Sequence, residues 1–308
     1  MFLYAGAAAT MLAFGIDRAA ARTPPRPRPA IAVTAAARAV QPGELVVLTI
    51  RTTSPATAVT ARAFKAELLP FAIDATTWRV LVGIDLAVAP GSYEVSIEAE
   101  PDARRAIHRL VVKPRRFPTR TLTVDPAFVT PPPEATERIE REARELGQIW
   151  AASAGTRLWE GRFVRPVPDP ANSAFGTHSV FNGQPRSQHS GADFRSAAGQ
   201  PIQAPNAGRV VLADDRYFSG NTVVIDHGLG LFSLFAHLSA IDVRAGDAVK
   251  TGEIIGKVGA TGRVTGPHLH WSVRASGARV DPLSLLASLG GLGARGLGSS
   301  GARAATGD

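Results

Sequence analysis

Short runs of β-branched and apolar residues, separated by turns that contain glycine or proline, cover most of this sequence. The turns are frequent because the 308 residues include 30 glycines and 23 prolines. Short strands with turns at this spacing are typical of β-sheet domains. One stretch differs: over residues 134–152, Ile139, Ala143, Leu146 and Trp150 recur at spacings of four, three and four. That period predicts a single amphipathic helix in a chain that is otherwise mostly β.

The region 31–114 is predicted to be an immunoglobulin-like β-sandwich. Tyr93, Val95 and Ile97 alternate with polar residues, as expected of a strand with one buried face. The Cys-Trp-Cys pattern of antibody domains is absent, so the prediction concerns the architecture alone. His108 stands alone in a basic strand and is predicted to lie at the surface. The strand-like runs are 45–52, 59–64, 78–84, 93–97 and 107–112.

The segments around the sandwich suggest an exported protein with a second folded domain. Residues 1–21 are apolar with small residues at their end, which predicts a signal peptide or an uncleaved N-terminal anchor; the missing basic residues at the start leave both open. We therefore expect a periplasmic, envelope-associated or secreted protein. The remaining segments are predicted as a Pro/Arg linker (22–30), a linker with the connecting helix (115–160), an antiparallel β domain (161–289) and a disordered tail (290–308).

The composition limits both the metal chemistry and the partners. Cysteine is absent, so disulfides and thiolate-bound zinc are excluded, and a metal site must use His, Asp or Glu. The net charge is +8, which suits anionic partners such as lipid, nucleic acid or a cell wall. Because no Lys/Arg run is interleaved with aromatic residues, no nucleic-acid partner is predicted. The oligomeric state is not indicated.

Five residues with metal or proton chemistry fall into three clusters. His268 and His270 are two apart in a predicted strand, so both side chains point to one face. His189 and Asp193 would be roughly 13 Å apart in a straight strand, whereas two donors to one zinc ion lie within ~4 Å of each other. We therefore predict a turn at Gly191. His237 ends an apolar strand and is the remaining candidate. Two histidines and a carboxylate, with a fourth position open for water, form a ligand set of zinc hydrolases.

The other histidines and the acidic residues between these clusters are predicted to be structural. His178 and His227 each stand alone. The neighbouring Asp214 and Asp215 would point to opposite faces of a strand and are predicted to form a turn; Asp226 and Asp242 are interpreted in the same way.

The clusters together resemble the M23 peptidases, the lysostaphin or LytM-type zinc endopeptidases, over about residues 175–282. The resemblance implies zinc ligands at His189, Asp193 and His270, and active-site roles for the non-ligand histidines His237 and His268. Val264 stands where many relatives carry serine, in a turn away from the metal. The segments that carry the resemblance are His189-x-x-x-Asp193, His237-Leu238-Ser239, Gly246-Asp247-x-Val249 and Thr261-Gly262-Arg263-Val264-Thr265-Gly266-Pro267-His268-Leu269-His270.

The predicted function is therefore zinc-dependent hydrolysis of peptides in bacterial peptidoglycan. Either His237 or His268 would accept the proton of the attacking water; the sequence leaves the choice open. The first alternative is a catalytically silent LytM-type regulator that activates other cell-wall hydrolases, although such domains lack the ligands present here. The second is a non-haem iron oxygenase, which also uses two histidines and one carboxylate.

Overall fold

The structure is a computed structural model that describes residues 30–123, 129–171 and 175–290. The predicted signal peptide or anchor, almost all of the Pro/Arg linker and the predicted disordered tail beyond Gly290 lie outside the described residues. Within the described ranges, no helix combines the length and the apolar character needed to cross a membrane. The described chain is mostly β, as predicted.

The first eight strands form two four-stranded antiparallel sheets, ordered β1-β2-β6-β5 and β4-β3-β7-β8. This order corresponds to the A-B-E-D and C′-C-F-G sheets of immunoglobulin-like domains. Apolar residues of both sheets share one core, which includes Val46, Leu48, Val95 and Ile97. The predicted immunoglobulin-like sandwich is confirmed. Its strands are β1 (Ile31–Ala36), β2 (Leu45–Thr52), β3 (Ala58–Ala63), β4 (Ala66–Leu68), β5 (Phe71–Ala72), β6 (Thr77–Gly83), β7 (Gly91–Glu100) and β8 (Arg104–Val112).

The linker that follows contributes one strand and one helix. Strand β9 (Thr119–Leu122) pairs in parallel with β10 (His178–Phe181), which forms a hairpin with β11 (Gln184–Gln188). Helix α1 (Pro133–Ala151) begins and ends within one residue of the predicted helix.

Helix α1 packs on the large sheet along a narrower stripe than predicted. Leu146 and Trp150 contact the sheet together with Ile149, whereas Ala143 is exposed. An ion pair also holds the helix on the sheet: Glu145 binds the buried Arg216 at 2.7 Å.

The largest sheet contains nine strands, and all of their pairings are antiparallel. Its main path is β12-β19-β16-β15-β14-β17, and helix α2 (Pro282–Leu289) follows the last strand. The antiparallel second domain is therefore confirmed. The strands are β12 (Gly191–Phe194), β13 (Pro201–Gln203), β14 (Gly208–Arg216), β15 (Gly220–Gly228), β16 (Leu231–Ile241), β17 (Ala248–Val249), β18 (Ile254–Val258), β19 (Leu269–Ala275) and β20 (Ala278–Val280).

Two predictions for acidic residues are wrong. Asp214 and Asp215 lie in β14, opposite Thr222 and Asn221 of β15, so the turn of this hairpin comes later in the chain. Asp226 is buried in β15, where its carboxylate accepts hydrogen bonds from Ser153 Oγ at 2.7 Å and from two backbone amides. Local turn propensity is overridden because the backbone is paired across the hairpin and because Asp215 and Asp226 find side-chain partners in the linker.

The sandwich and the nine-stranded sheet are packed directly together. Leu45, Val47 and Leu81 of the sandwich belong to the same apolar core as the second domain. Polar contacts reinforce it: Ser284 Oγ in α2 accepts the Leu45 amide at 2.9 Å, and Arg279 binds Asp85 with two hydrogen bonds.

A buried charge cluster completes this interface. The carboxylates of Glu44 and Asp281, whose side chains are 1% and 2% exposed, both bind Arg38 at 2.7 Å. Arg115 faces the same two carboxylates at 3.3 and 3.5 Å. The carboxylates are buried with counter-ions on both sides, as buried charges require.

Candidate metal centre and groove

Three side chains converge at one end of the nine-stranded sheet. Nε2 of His189 lies 2.9 Å from Nδ1 of His270 and 3.1 Å from Oδ1 of Asp193. The same oxygen of Asp193 lies 3.0 Å from Nδ1 of His270. Each residue thus offers one donor atom to a common point, and these atoms all lie within 4.8 Å of one another.

Backbone pairing places two of the three donors. Asp193 in β12 and His270 in β19 are directly opposite each other in the antiparallel register, and such pairs share a face of the sheet. His189 precedes β12 and is fixed through its backbone: its amide donates to the carbonyl of Thr177 at 2.9 Å, and its carbonyl accepts from the amide of Gly176 at 2.7 Å. His189 lies in the two-residue connection between β11 and β12, and its Nε2 lies 3.1 Å from Oδ1 of Asp193.

The predicted turn at Gly191 is wrong, because Gly191 is the first residue of β12. Glycine is required there for a different reason. A Cβ atom at this position would lie 2.6 Å from Nε2 of His270 and 2.6 Å from the carbonyl oxygen of Trp271. The absent side chain therefore makes room for the His270 ring.

The donor set fits a zinc ion. Three separations of 2.9, 3.1 and 3.0 Å are close to the ~3.3 Å between two donors that each bind zinc tetrahedrally at ~2.05 Å. Nε2 of His270 lies 2.8 Å from Ser272 Oγ. With a metal on Nδ1, the neutral ring would carry its proton on Nε2 and donate it to this hydroxyl, which would hold Nδ1 toward the site. Nδ1 of His189 is buried and has no hydrogen-bond partner among the described residues.

The electrostatics keep the carboxylate ionised. Burial alone would raise the pKa of Asp193, but hydrogen bonds from the His189 and His270 rings outweigh it and hold that pKa well below its usual range. Burial lowers the pKa of His270, which favours the neutral ring that a metal requires.

His237 and His268 stand beside the three donors. Their ring centroids are 5.0 Å apart. Each contacts a backbone carbonyl through Nδ1: His237 with Thr261 at 2.9 Å, and His268 with Gly266 at 2.8 Å. Because a carbonyl only accepts, Nδ1 carries the proton in both rings, and Nε2 is left as an acceptor. Nε2 of His268 is 3.9 Å from Oδ1 of Asp193.

A bulge in β16 directs His237 into the site. Asn221 and Val223 in β15 face Leu238 and Phe235, so the intervening segment of β16 holds one extra residue. His237 has a left-handed φ of 68°, and its amide donates to the carbonyl of Ser219 at 2.8 Å. Bulges often redirect a side chain in this way. Burial, together with the neighbouring His270 and His268 rings, lowers the pKa of His237 to about 3.

The four histidines and the Asp193 carboxylate line a groove with a cavity volume of about 780 Å³. Asp193 is the one carboxylate residue in the described lining, whereas the arginines Arg120, Arg195, Arg263, Arg274 and Arg279 all line it. No residue of the sandwich contributes to the described lining.

Sequence reasoning missed two contributors to the groove. Ser272 could have been found, since it lies two residues beyond His270 on the same face of a strand. The linker strand β9, which brings Arg120 and Leu122 into the groove, carries no local signal of its parallel pairing with β10.

The remaining histidines lie away from the three donors. His178 is exposed on β10, and His108, predicted at the surface, is half-buried in β8. His227 is buried: its Nδ1–H donates to the carbonyl of Ala207 at 2.8 Å, and Ser233 Oγ lies 2.9 Å from its Nε2. These contacts occupy both nitrogens of His227.

Part of the chain matches a known protein family, and most of the chain resembles a solved structure. The family model described as peptidase family M23 matches residues 187–282. A crystal structure from Pseudomonas aeruginosa assigned to peptidase M23 is 32% identical, covers 82% of this chain and 96% of that chain, and superposes with a TM-score of 0.64.

Two curated relatives match this chain over stretches of similar length. The DD-carboxypeptidase/endopeptidase Mpg of Neisseria meningitidis serogroup B is 42% identical over 97 residues, which is 32% of this chain and 22% of the relative. The peptidoglycan DD-endopeptidase ShyA of Vibrio cholerae is 41% identical over 95 residues, 31% of this chain and 22% of the relative. The match thus spans about a fifth of the length of each relative.

Proposed function

Because the chain belongs to peptidase family M23, we propose that it is a zinc-dependent endopeptidase that hydrolyses peptides of bacterial peptidoglycan. The observation that carries the proposal is the convergence of His189, Asp193 and His270 on one point, with the donor atoms within 4.8 Å of one another. The groove beside these donors is open, and His237 and His268 face it.

The proposed substrate bond joins two D-amino acids in the cell-wall peptide. ShyA, which shares 41% identity with this chain over 95 residues, is a peptidoglycan DD-endopeptidase, and Mpg is a DD-carboxypeptidase/endopeptidase. The net charge of +8 and the arginines of the groove suit an anionic wall polymer. The cell envelope is accordingly the proposed location, reached through the predicted signal peptide or anchor.

The proposed mechanism divides the work among the five side chains. His189, Asp193 and His270 would hold the metal, and Ser272 would keep the His270 ring oriented through its hydrogen bond. Zinc, when bound, supplies Lewis acidity to the scissile carbonyl and lowers the pKa of water. Nε2 of His237 or of His268 is free to accept a proton, and the protonated ring can then donate it to the leaving amine.

The proposal also assigns a role to each of the predicted domains. The sandwich over 31–114 would act as a rigid support behind the catalytic domain of 161–289, with the linker of 115–160 adding a wall to the groove. The packing of Leu45 into the second core and the position of β9 support this assignment.

Digestion of purified peptidoglycan by the full chain tests the proposal. We expect about one zinc per chain and release of soluble wall peptides, which a chelator stops and added zinc restores. His268→Ala should keep its zinc and lower the release rate by about 10²–10⁴-fold, since a positioned proton-transfer group is worth that much. Bound zinc without release would contradict the proposal and favour the regulator alternative.

A further inference from the structure

The linker strand β9 is built into the wall of the groove. It runs parallel to β10, with Thr119 opposite His178 and Arg120 opposite Ser179. Arg120 and Leu122 are two apart, so they share one face of the strand, and both line the groove that contains His189. This strand precedes the region that the family model matches, residues 187–282. The wall is thus an addition that the linker makes to the site.

Arg120 is held in place by one hydrogen bond, and no carboxylate of the described ranges forms an ion pair with it. Its Nε donates to Ser179 Oγ at 3.3 Å, which fixes the plane of the guanidinium. Its Nη1 and Nη2 make no hydrogen bond or ion pair with any residue that the structure describes. By contrast, Arg279 in the same groove is paired with Asp85 at 2.6 Å. Arg120 therefore presents two NH2 groups, with four N–H donors unpaired among the described residues, and its positive charge to the groove.

The groove has no carboxylate of its own to offer Arg120. Asp193, the carboxylate residue of the described lining, accepts from the His189 and His270 rings. A half-buried guanidinium with an anchored Nε is suited to a planar, two-oxygen acceptor, because its remaining N–H groups lie in a rigid fork. A carboxylate of the bound peptide is the partner with that geometry.

We propose that Arg120 is a substrate-binding residue that holds a free carboxylate of an acidic cell-wall peptide against the β9 wall. The inference rests on the proposed function, since it concerns the substrate of the same groove. It adds that the linker, and not only the catalytic domain, selects which peptides are cut. Peptides in which that carboxylate is amidated are then poor substrates.

The test couples a change in the protein to a change in the ligand. The probe is the pentapeptide L-Ala-γ-D-Glu-meso-diaminopimelate-D-Ala-D-Ala, together with versions in which one carboxylate at a time is replaced by its amide. Their dissociation constants are measured by calorimetry on the full chain after chelator treatment, so that no turnover occurs. The proteins are wild type, Arg120→Ala, Arg120→Lys and the control Arg116→Ala. Arg116 is exposed in the same linker and outside the described groove lining.

We expect Arg120→Ala to weaken binding of the fully charged peptide by roughly ten- to a hundredfold, the range of a charge-assisted hydrogen bond. For the peptide that lacks the carboxylate bound by Arg120, Arg120→Ala should weaken binding by less than about twofold. The amidated position of that peptide then identifies the carboxylate. Arg120→Lys should recover part of the affinity, because it keeps the charge but not the fork. Arg116→Ala should bind like wild type.

Three results would overturn the inference. In the first, Arg120→Ala loses the same affinity for every peptide, amidated or not. In the second, Arg120→Ala and Arg116→Ala lose affinity equally. In the third, wild type binds none of the peptides measurably. The proposed function is judged separately, by cleavage with the zinc-loaded chain. If the Arg120→Ala loss of affinity disappears for one amidated peptide but the zinc-loaded chain cuts no wall peptide, the peptidase is rejected and the carboxylate site is kept. If the chain cuts wall peptides but no amidated peptide removes the loss, the peptidase is kept and the carboxylate site is rejected.

Discussion

Asp193 and His270 face each other across β12 and β19, and Oδ1 of Asp193 lies 3.0 Å from Nδ1 of His270. The register of two antiparallel strands therefore sets the distance between two of the three donors. The third donor, His189, comes from the connection between β11 and β12 and is held by backbone hydrogen bonds to Thr177 and Gly176. Two donors of the centre thus lie on paired strands of the sheet, and the third lies in a loop.

Gly191→Ala is expected to weaken metal binding without removing any donor. The new Cβ would lie 2.6 Å from the His270 ring, so the ring or the strand must move. Overpacking of this kind costs about 1–3 kcal/mol of stability. Urea unfolding and a zinc titration against a chelating dye measure both effects. The matched control is Gly147→Ala in α1, where a Cβ meets nothing within 4 Å and the unfolding free energy should rise by up to about 1 kcal/mol. Wild-type zinc affinity in Gly191→Ala would contradict the prediction.

Ser272→Ala should lower zinc affinity by about 10–100-fold, the usual effect of losing a hydrogen bond to a ligating histidine. The reason is that Ser272 Oγ lies 2.8 Å from Nε2 of His270 and, when zinc occupies Nδ1, would accept the Nε2–H and so fix the ring and its tautomer. Competition with a chelator of known affinity gives the dissociation constant. Ser272→Thr keeps the hydroxyl and should stay near wild type; equal losses in both variants would point to packing instead.

His237→Asn is expected to lower the turnover number by about 10²–10⁴-fold while zinc content and stability stay close to wild type. Asparagine tolerates the left-handed φ of 68° at this position, so the bulge is preserved. His237→Val should lose activity and stability together, because a β-branched residue is strained there. Turnover of wall peptides and thermal unfolding of the two variants separate chemistry from backbone strain. A stable, fully active His237→Asn would remove His237 from the mechanism.

Glu44→Ala should destabilise the full chain by about 2–3 kcal/mol, since each hydrogen bond to a charged group contributes roughly 1.5–3 kcal/mol. Its carboxylate is 1% exposed and binds Arg38 at 2.7 Å. The loss stays below the ~3–5 kcal/mol of a pair left without a counter-ion, because Asp281 still faces both arginines. Urea unfolding measures it. The control Glu67→Ala breaks the exposed Arg62–Glu67 pair and should cost less than about 1 kcal/mol. An equal loss of stability in Glu44→Ala and Glu67→Ala would show that the buried cluster does not stabilise the chain as described.

His227 should make stability depend on pH between about 4 and 6.5. Burial lowers the pKa of His227 to about 4 in the folded chain, against ~6.5 when unfolded. In this window the unfolded chain binds more protons, so the unfolding free energy rises with pH, by roughly 3 kcal/mol in all. This contribution is complete above pH 6.5 and is lost as the pH falls toward 4. Unfolding of wild type and His227→Phe across this range gives the difference; parallel curves would show that His227 does not titrate as described.

Local patterns were enough to predict the long helix, the longer sandwich strands and the family, but not the short strands or the contacts between distant segments. The period of Leu146 and Trp150 located α1 to within one residue, and alternation located the sandwich strands. Gly191 was misinterpreted because a glycine between two candidate ligands suggests a bend, whereas its function is to admit a ring from β19, a strand nearly eighty residues later. Close approach between distant strands leaves no trace in local sequence.

The linker and the interface escaped prediction for a related reason. Arg120 and Ser179 are 59 residues apart, and a four-residue strand with mixed polarity is not distinguishable from a loop. Glu44 resembles a surface residue at the start of a strand, yet it is 1% exposed because Arg38 and Arg115 accompany it into the interface. Burial of a charge depends on its partners, which the sequence does not name.

The packing of Leu45, Val47 and Leu81 into the core of the second domain has an evolutionary consequence. Exchange of the sandwich for another immunoglobulin-like unit would leave a hole in its neighbour, so we expect the two halves to be inherited together. Substitutions at Val47 should be matched by compensating changes in the sheet beneath it, and gene fusions should conserve the boundary rather than shuffle it. The sandwich is here a structural part of the second domain, because the core of that domain is incomplete without it.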